Sequence, residues 1–180
     1  MPPAPATTTL DLDRLALSHG EGRRLDLPIR LGEVELGGQT YRPVPEAGEV
    51  SLVVSRTASG HAFRLVFGVR LEGPCMRCLL DAGADLEVDA REVDQPSTDD
   101  EELTSPYVDE GVLDVGRWAH DALVLAMPAQ ILCREDCPGL CAVCGERLDG
   151  AEPGAHDHGG STDPRWAKLA DLKISEGESG

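Results

Sequence analysis

The six cysteines of this 180-residue chain are the residues whose type and spacing indicate the most chemistry. A C-x2-C pair is followed much later by a C-x3-C-x3-C-x2-C group, which runs directly into a glycine: Cys75, Cys78, Cys133, Cys137, Cys141, Cys144 and Gly145. Thiolates are soft ligands, and a tetrahedral set of four usually holds zinc. Because a closed four-ligand shell leaves no position for a substrate, the pattern predicts one structural Zn²⁺ ion bound by four of the six cysteines.

The spacing leaves open which four cysteines bind that ion. Three partitions are possible: Cys133, Cys137, Cys141 and Cys144; or Cys75, Cys78, Cys141 and Cys144, as in a zinc ribbon; or Cys75, Cys78, Cys133 and Cys137. The C-x2-C-G segment ending at Gly145 is the best local ligand pair, because glycine tolerates the left-handed turn that directs backbone N–H groups at sulfur.

Other cysteine chemistries are weaker interpretations. Disulfides are possible with an even number of cysteines, but the first residues of the sequence do not read as a secretory signal. A redox C-x2-C or an iron–sulfur cluster is also compatible with the spacing. His156 and His158 flank Asp157 in a Gly/Asp/His-rich segment and could be auxiliary ligands, although a solvated loop is the favoured interpretation.

The first cysteine pair is expected at a turn between two strands. Phe63, Leu65 and Phe67 alternate with polar or small residues in the segment 61–71, which is typical of a strand with one buried face. A second strand is predicted at 84–93. Successive strands with short turns predict an α+β fold with an antiparallel, barrel-like sheet, one packed helix and a small Cys-rich zinc lobe.

Composition and capping signals divide the chain further. Asp114 can cap a helix that runs to Met127 and ends at Pro128, and a short helix is predicted over Asp163–Leu172. The expected organisation is a flexible N-terminal segment (1–19), an antiparallel β domain with the first C-x2-C (20–93), an acidic loop (94–113), a helix plus Cys-rich lobe on the same core (114–174) and a disordered tail (175–180).

The formal net charge of −17 limits the partners that fit the chain. Most of the acidic excess lies in residues 91–180, which repels nucleic-acid phosphate and attracts basic proteins. RNA binding would therefore need a local basic patch, and Arg64, Arg70 and Arg77 in the less acidic half are the candidates. The longest apolar run is too short to span a membrane, so a cytoplasmic protein without membrane or small-molecule partners is expected.

No arrangement of residues predicts an enzyme. The sequence has no phosphate-binding glycine loop, no nucleophile elbow and no HExxH pair.

The order of the motifs resembles the bacterial YceD family over about residues 20–174. The resemblance rests on four segments: Cys75-x-Arg77-Cys78-Leu79, Leu125–Pro128, Leu132–Gly145, and Asp163–Trp166 with Leu169. It implies a role in the accumulation of 23S ribosomal RNA and in large-subunit assembly. The partners implied are 23S rRNA or its precursor, a basic large-subunit ribosomal protein, or both.

The sequence therefore predicts a non-enzymatic ribosome-assembly factor with a structural zinc site. Two alternatives stay open. One is an acidic adaptor or chaperone for a basic ribosomal protein, with residues 92–110 as its docking segment. The other is a thiol- or metal-responsive regulator.

Overall fold

Alternating apolar and polar residues make the first part of the chain mostly β-sheet. The computed structural model describes residues 8–96, 100, 103–152 and 154–158. Their strands and helices, in chain order, are β1 (Thr9–Asp11), a 3₁₀ turn (Asp13–Leu15), β2 (Gly22–Arg30), β3 (Val34–Leu36), β4 (Gln39–Val44), β5 (Ala47–Arg56), β6 (His61–Pro74), β7 (Asp81–Asp94), β8 (Val108–Asp109), β9 (Val112–Asp114) and α1 (Val115–Ala126).

The chain divides into two units, Met1–Cys137 and Pro138–Gly180. In the first unit, β6 is the central strand of a six-stranded antiparallel sheet. One edge of β6 pairs with all 14 residues of β7, and the other edge pairs with β5 and then β4. The outer strands β2, β3 and β7 do not pair with one another in the described residues. The α+β class with an antiparallel sheet is confirmed, but the sheet is open and the predicted barrel-like closure is not found.

The inward face of β6 carries the core, as its period-two pattern predicts. Phe63, Leu65, Phe67 and Leu71 are buried. The Phe63 ring meets the Trp118 ring of α1 edge-on at 6.3 Å between centroids. Burying large aliphatic and aromatic side chains on both elements stabilises the packing of the helix on the sheet.

Helix α1 begins where its capping residue predicts. The Asp114 carboxylate accepts a hydrogen bond from the Arg117 backbone N–H at 2.9 Å, which satisfies one of the free donors of the first turn. The buried residues of α1 are Val115, Trp118, Ala119, Ala122 and Leu123, whereas Leu125 is 86% exposed. The helix therefore packs through one apolar face.

The predicted acidic loop (94–113) contains regular structure. Asp94 ends β7 and is buried, where it accepts a hydrogen bond from the Ser105 backbone N–H at 3.2 Å. Strands β8 and β9 form a small antiparallel sheet with β1, and Leu113 within it is fully buried. Leu113, together with the partly buried Tyr107 and Val108, packs this carboxylate-rich segment on the core. Because β1 (Thr9–Asp11) pairs with β9, part of the predicted flexible N-terminal segment (1–19) lies in a strand.

The described residues of the second unit are connected mainly by turns. Leu140 and Arg147 form an isolated antiparallel bridge, and the Leu148 N–H donates to the Gly139 carbonyl at 3.0 Å. The predicted helix over Asp163–Leu172 and the tail at 175–180 lie outside the described residues.

Candidate metal centres

Cys75 and Cys78 lie in the six-residue turn that joins β6 to β7. The turn is closed by hydrogen bonds from the Cys75 N–H to the Leu80 carbonyl (2.6 Å) and from the Leu79 N–H to the Cys75 carbonyl (2.9 Å). Leu79 adopts a left-handed conformation with φ of 62°, which tightens the turn behind Cys78. The predicted position of the first cysteine pair at a strand-to-strand turn is therefore found.

The segment after α1 brings Cys133 and Cys137 to the same place. Ile131 is buried, and its carbonyl accepts a hydrogen bond from the Met76 N–H at 3.0 Å. The Arg77 guanidinium donates to the Cys137 carbonyl at 3.1 Å. These two contacts fasten the turn between β6 and β7 to the segment from Ile131 to Cys137.

The four sulfur atoms form a cluster that fits a single metal ion. Cys75, Cys78, Cys133 and Cys137, here called the tetracysteine cluster, have all four Sγ atoms within 4.8 Å of one another. The Sγ–Sγ distance is 3.8 Å for Cys75 and Cys137 and 3.6 Å for Cys78 and Cys133. A zinc–sulfur distance of about 2.3 Å gives a tetrahedral edge of about 3.8 Å, whereas a disulfide needs about 2.0 Å.

The same distances disfavour a multi-iron cluster. Such a cluster binds its cysteines through separate iron atoms, which holds the sulfurs further apart than the edge of one tetrahedron. The donor set of the tetracysteine cluster therefore fits Zn²⁺ or another single soft cation.

Backbone donors favour ionisation at one corner of the tetracysteine cluster. Burial acts to raise the pKa of Cys75, but hydrogen bonds from the backbone N–H groups of Cys133, Arg77 and Cys78 outweigh it and lower the pKa to about 6. The pKa of Cys133 is raised instead, first by its hydrogen bond with Cys78 and then by burial. Four adjacent thiolates repel one another, so a bound dication is what allows all four to ionise together.

Cys141 and Cys144 lie in the second unit and belong to a different group. In the described part of the chain they are joined by His156 and His158, and the four ligand atoms lie within 4.8 Å of one another. This is the histidine pair that the sequence interpretation assigned to a solvated loop. The available signal was its H-x-H spacing downstream of a C-x2-C-G turn, in a segment without periodicity.

The structure groups the cysteine sulfurs in only one of the three predicted ways. The third partition is formed, whereas the zinc-ribbon pairing and the closure of the C-terminal group on itself are not. A single ion bound by four cysteines leaves Cys141 and Cys144 without a role, and these two lie beside His156 and His158.

The three candidate RNA-binding arginines already have local partners. Arg64 donates two hydrogen bonds to Asp89 at 2.8 and 2.7 Å. Arg70 contacts Asp85 at 2.8 Å and Glu72 at 3.2 Å. Arg77, besides its bond to Cys137, lies 3.5 Å from the side-chain oxygen of Gln130. Their role in RNA binding stays a prediction.

The face of the sheet that carries Arg64 and Arg70 has no positive excess. Residues paired across β6 and β7 share a face, and alternate residues of each strand return to it. On these two strands the face holds three arginines and five carboxylates: Arg64, Arg70, Arg91, Glu72, Asp81, Asp85, Glu87 and Asp89. A phosphate backbone would meet a slightly negative surface here.

Among the described residues, no helix is long and apolar enough to cross a membrane.

The fold and the site define a class of small protein: an open antiparallel sheet whose longest hairpin ends in a tetracysteine cluster, a candidate metal site. A family model described as "Large ribosomal RNA subunit accumulation protein YceD" matches residues 64–173, more than half of the chain. The chain belongs to this family, as the sequence motifs predicted. The match begins within β6 and includes all six cysteines.

Similar proteins are known from mycobacteria. "Uncharacterized protein ML1660" of Mycobacterium leprae is 36% identical over 103 residues, which cover 54% of this chain and 46% of that protein. "Uncharacterized protein Rv2926c" of Mycobacterium tuberculosis is 36% identical over 113 residues, which cover 59% and 53%. The chain spans about half the length of the curated relatives it matches. No solved structure matches the chain.

Proposed function

We propose that this protein is a non-enzymatic cytoplasmic factor for 23S rRNA accumulation and large-subunit assembly, with a structural Zn²⁺ ion in the tetracysteine cluster. The observation that carries the proposal is the family match over 64–173, because the family description names accumulation of the large ribosomal RNA and no reaction. The family supports the role, and the geometry supports the metal.

A structural rather than catalytic ion follows from the ligand set. Four protein thiolates complete a tetrahedron and leave no open position for water or substrate. Cys75, Cys78 and Cys137 are buried, so the ion would be largely shielded from solvent. Its physical effect would be to lock the turn between β6 and β7 onto the segment that follows α1.

The test is depletion of the protein in its native cell. We expect a lower ratio of 23S to 16S rRNA and fewer mature large subunits, both restored by the wild-type chain. Cys78→Ser should rescue poorly, because it removes a ligand and lowers the amount of folded protein, which an immunoblot checks. An unchanged rRNA ratio after full depletion would contradict the proposed role.

A basic large-subunit ribosomal protein is the partner that the surface charge favours. The net charge of −17 and the carboxylate-rich face of β6 and β7 attract a cationic surface at long range. This favours the adaptor form of the assembly role, in which the acidic surface holds a basic protein.

The adaptor role can be tested by changing residues of the proposed docking segment, 92–110, and measuring binding of the basic protein. Deleting the whole segment would remove the buried Asp94 and strand β8, so neutralising exposed carboxylates is the cleaner change. Asp109→Asn with Glu110→Asn should reduce co-purification of the basic protein, while Asp26→Asn with Glu49→Gln on the sheet is the matched control. Equal co-purification by both variants would remove this segment as the docking site.

Direct contact with RNA through Arg64 and Arg70 is tested by replacing both with Glu. If they neutralise phosphates, binding to 23S precursor fragments weakens and its dependence on salt becomes shallower. Unchanged binding would leave the arginines with only the ion pairs that the structure gives them.

A further inference from the structure

We propose that Cys141, Cys144, His156 and His158 form a second Zn²⁺ site, which organises the second unit. It is here called the Cys2His2 cluster. The proposal does not depend on the role in ribosome assembly, because it rests on the geometry and burial of the second unit alone.

The cysteine half of the site is a preformed turn. The Cys141 N–H donates to the Glu146 carbonyl at 2.7 Å, and the Gly145 N–H donates to the Cys141 carbonyl at 2.9 Å. Gly145 has φ of 74°, the left-handed conformation that glycine adopts without a steric cost. The backbone N–H groups of Val143 and Cys144 donate to the Cys141 sulfur. This turn therefore holds the Cys141 sulfur in place, with two backbone donors directed at it.

The two imidazoles lie beside the two sulfurs, at sulfur-to-nitrogen distances that fit a shared metal ion. His158 Nε2 lies 3.2 Å from Cys141 Sγ, and His156 Nδ1 lies 3.4 Å from Cys144 Sγ. A tetrahedral zinc ion with Zn–S of about 2.3 Å and Zn–N of about 2.05 Å gives a sulfur-to-nitrogen edge of about 3.6 Å. The pairs are thus within a few tenths of an ångström of that edge.

Local turns hold the histidines in place. The Asp157 N–H donates to the Gly154 carbonyl at 3.0 Å, and the His158 N–H donates to the His156 carbonyl at 3.1 Å. These short-range bonds turn the chain so that both imidazoles reach the same point. The cysteine turn and the histidine turn thus bring four candidate ligand atoms together, which is not expected of a solvated loop without a ligand.

A second observation points to a bound ion. Among the described residues of the second unit, Cys141 is the only one with a buried side chain. The described part of the unit, residues 138–152 and 154–158, buries little apolar side-chain surface, and small segments of this kind usually need a metal or disulfides to become ordered. The sulfurs and nitrogens at the Cys2His2 cluster are the donor set that zinc prefers.

The two sites should differ in exposure. Cys144 and His158 are exposed, whereas three of the four ligands in the tetracysteine cluster are buried. A chelator therefore reaches the ion of the Cys2His2 cluster first, and zinc should leave the protein in two steps.

The first experiment is zinc quantification on the purified full chain after removal of loosely bound metal. We expect two equivalents in the wild type, one for each cluster. Cys141→Ser with Cys144→Ser, and separately His156→Ala with His158→Ala, should each lose one equivalent and keep the other. His19→Ala changes an exposed histidine in the first unit and should keep both.

Two results would overturn the proposal. One is a wild-type chain that binds a single equivalent even with excess zinc. The other is a His156→Ala, His158→Ala variant that still binds two equivalents, because the histidines would then not be ligands.

Cobalt substitution supplies a readout that needs no variant. Co²⁺ bound by four thiolates and Co²⁺ bound by two thiolates and two imidazoles have different visible absorption, since each thiolate adds charge-transfer intensity. Titration of the apo chain should saturate at two equivalents with two spectral components. Saturation at one equivalent, or two components that both report four thiolates, would contradict the Cys2His2 cluster.

Discussion

The two clusters place similar metal-binding side-chain types on very different supports. The tetracysteine cluster lies at the end of a hairpin with 14 paired residues in each strand, next to the core of the first unit. The Cys2His2 cluster lies in a unit with one isolated bridge and one buried side chain among its described residues. The comparison teaches that similar side chains can gather either beside a packed core or in a described segment that buries little apolar surface of its own.

The largest expected effect is a loss of stability of the first unit when one cysteine of the tetracysteine cluster is replaced. Cys75→Ser should remove zinc from the tetracysteine cluster and lower the free energy of unfolding of the first unit by roughly 4 kcal/mol or more, as loss of a metal site can do. Cys75 is fully buried, so the change also leaves a hydroxyl among apolar groups. Urea unfolding followed by far-UV circular dichroism measures it.

The matched control is the same substitution at the other cluster. Cys144→Ser should leave the main unfolding transition of the sheet where it is. If both variants shift that transition equally, the two clusters are not independent and the comparison fails.

The second effect concerns the bond that joins the two halves of the tetracysteine cluster. Arg77→Ala removes the hydrogen bond to the Cys137 carbonyl and should cost about 1.5–3 kcal/mol, the range for bonds from charged donors. Zinc should also leave this cluster faster in chelator competition. Arg77→Lys is the conservative control, and a wild-type release rate in Arg77→Ala would mean that the bond does not hold the site.

A smaller effect is expected at the turn of the Cys2His2 cluster. Gly145→Ala forces a side chain into a left-handed conformation and should cost about 1–2 kcal/mol, which lowers zinc affinity of this cluster several-fold. Gly150→Ala is a close control, because Gly150 has the same φ of 74° and an added Cβ meets nothing within 4 Å at either position. Equal zinc affinity of both variants would indicate that the Gly145 turn does not position the ligands.

The smallest effect is expected on the exposed face of the sheet. Arg64→Ala breaks an ion pair that is about half exposed, and such pairs add little to stability. Zinc content and the unfolding midpoint should both match the wild type. A loss of zinc in this variant would mean that the sheet face and the tetracysteine cluster are coupled, which the contacts do not indicate.

Sequence patterns predicted the hairpin well because its physics is local. Alternation in residues 61–71 and 84–93 identified β6 and β7, and the position of Cys75 and Cys78 between them followed at once. Asp114 identified the start of α1 for the same reason. The carboxylates concealed β8 and β9, because the apolar residues that pack this segment on the core, Tyr107, Val108 and Leu113, do not form a periodic pattern.

The partition of the cysteines could not be predicted, because long-range packing decides it. Both C-x2-C pairs are good local ligands, and nothing in the spacing says that residues 133–137 return to the first pair. The contact from Met76 to Ile131 decides this, and it joins parts of the chain that are distant in sequence. The histidine ligands stayed ambiguous because turns, rather than a regular element, bring them to the cysteines.

The distances along the chain between ligands set how long the first side chains of each cluster wait for their partners during synthesis. In the Cys2His2 cluster the paired ligands are 12 and 17 residues apart, but in the tetracysteine cluster they are 55 and 62 apart. At about 5–20 residues per second, Cys78 waits roughly 3–11 s for Cys133 to be made. The hairpin thus carries an open pair of thiols through a stage of translation, and only the arrival of the segment after α1 converts it into a closed site.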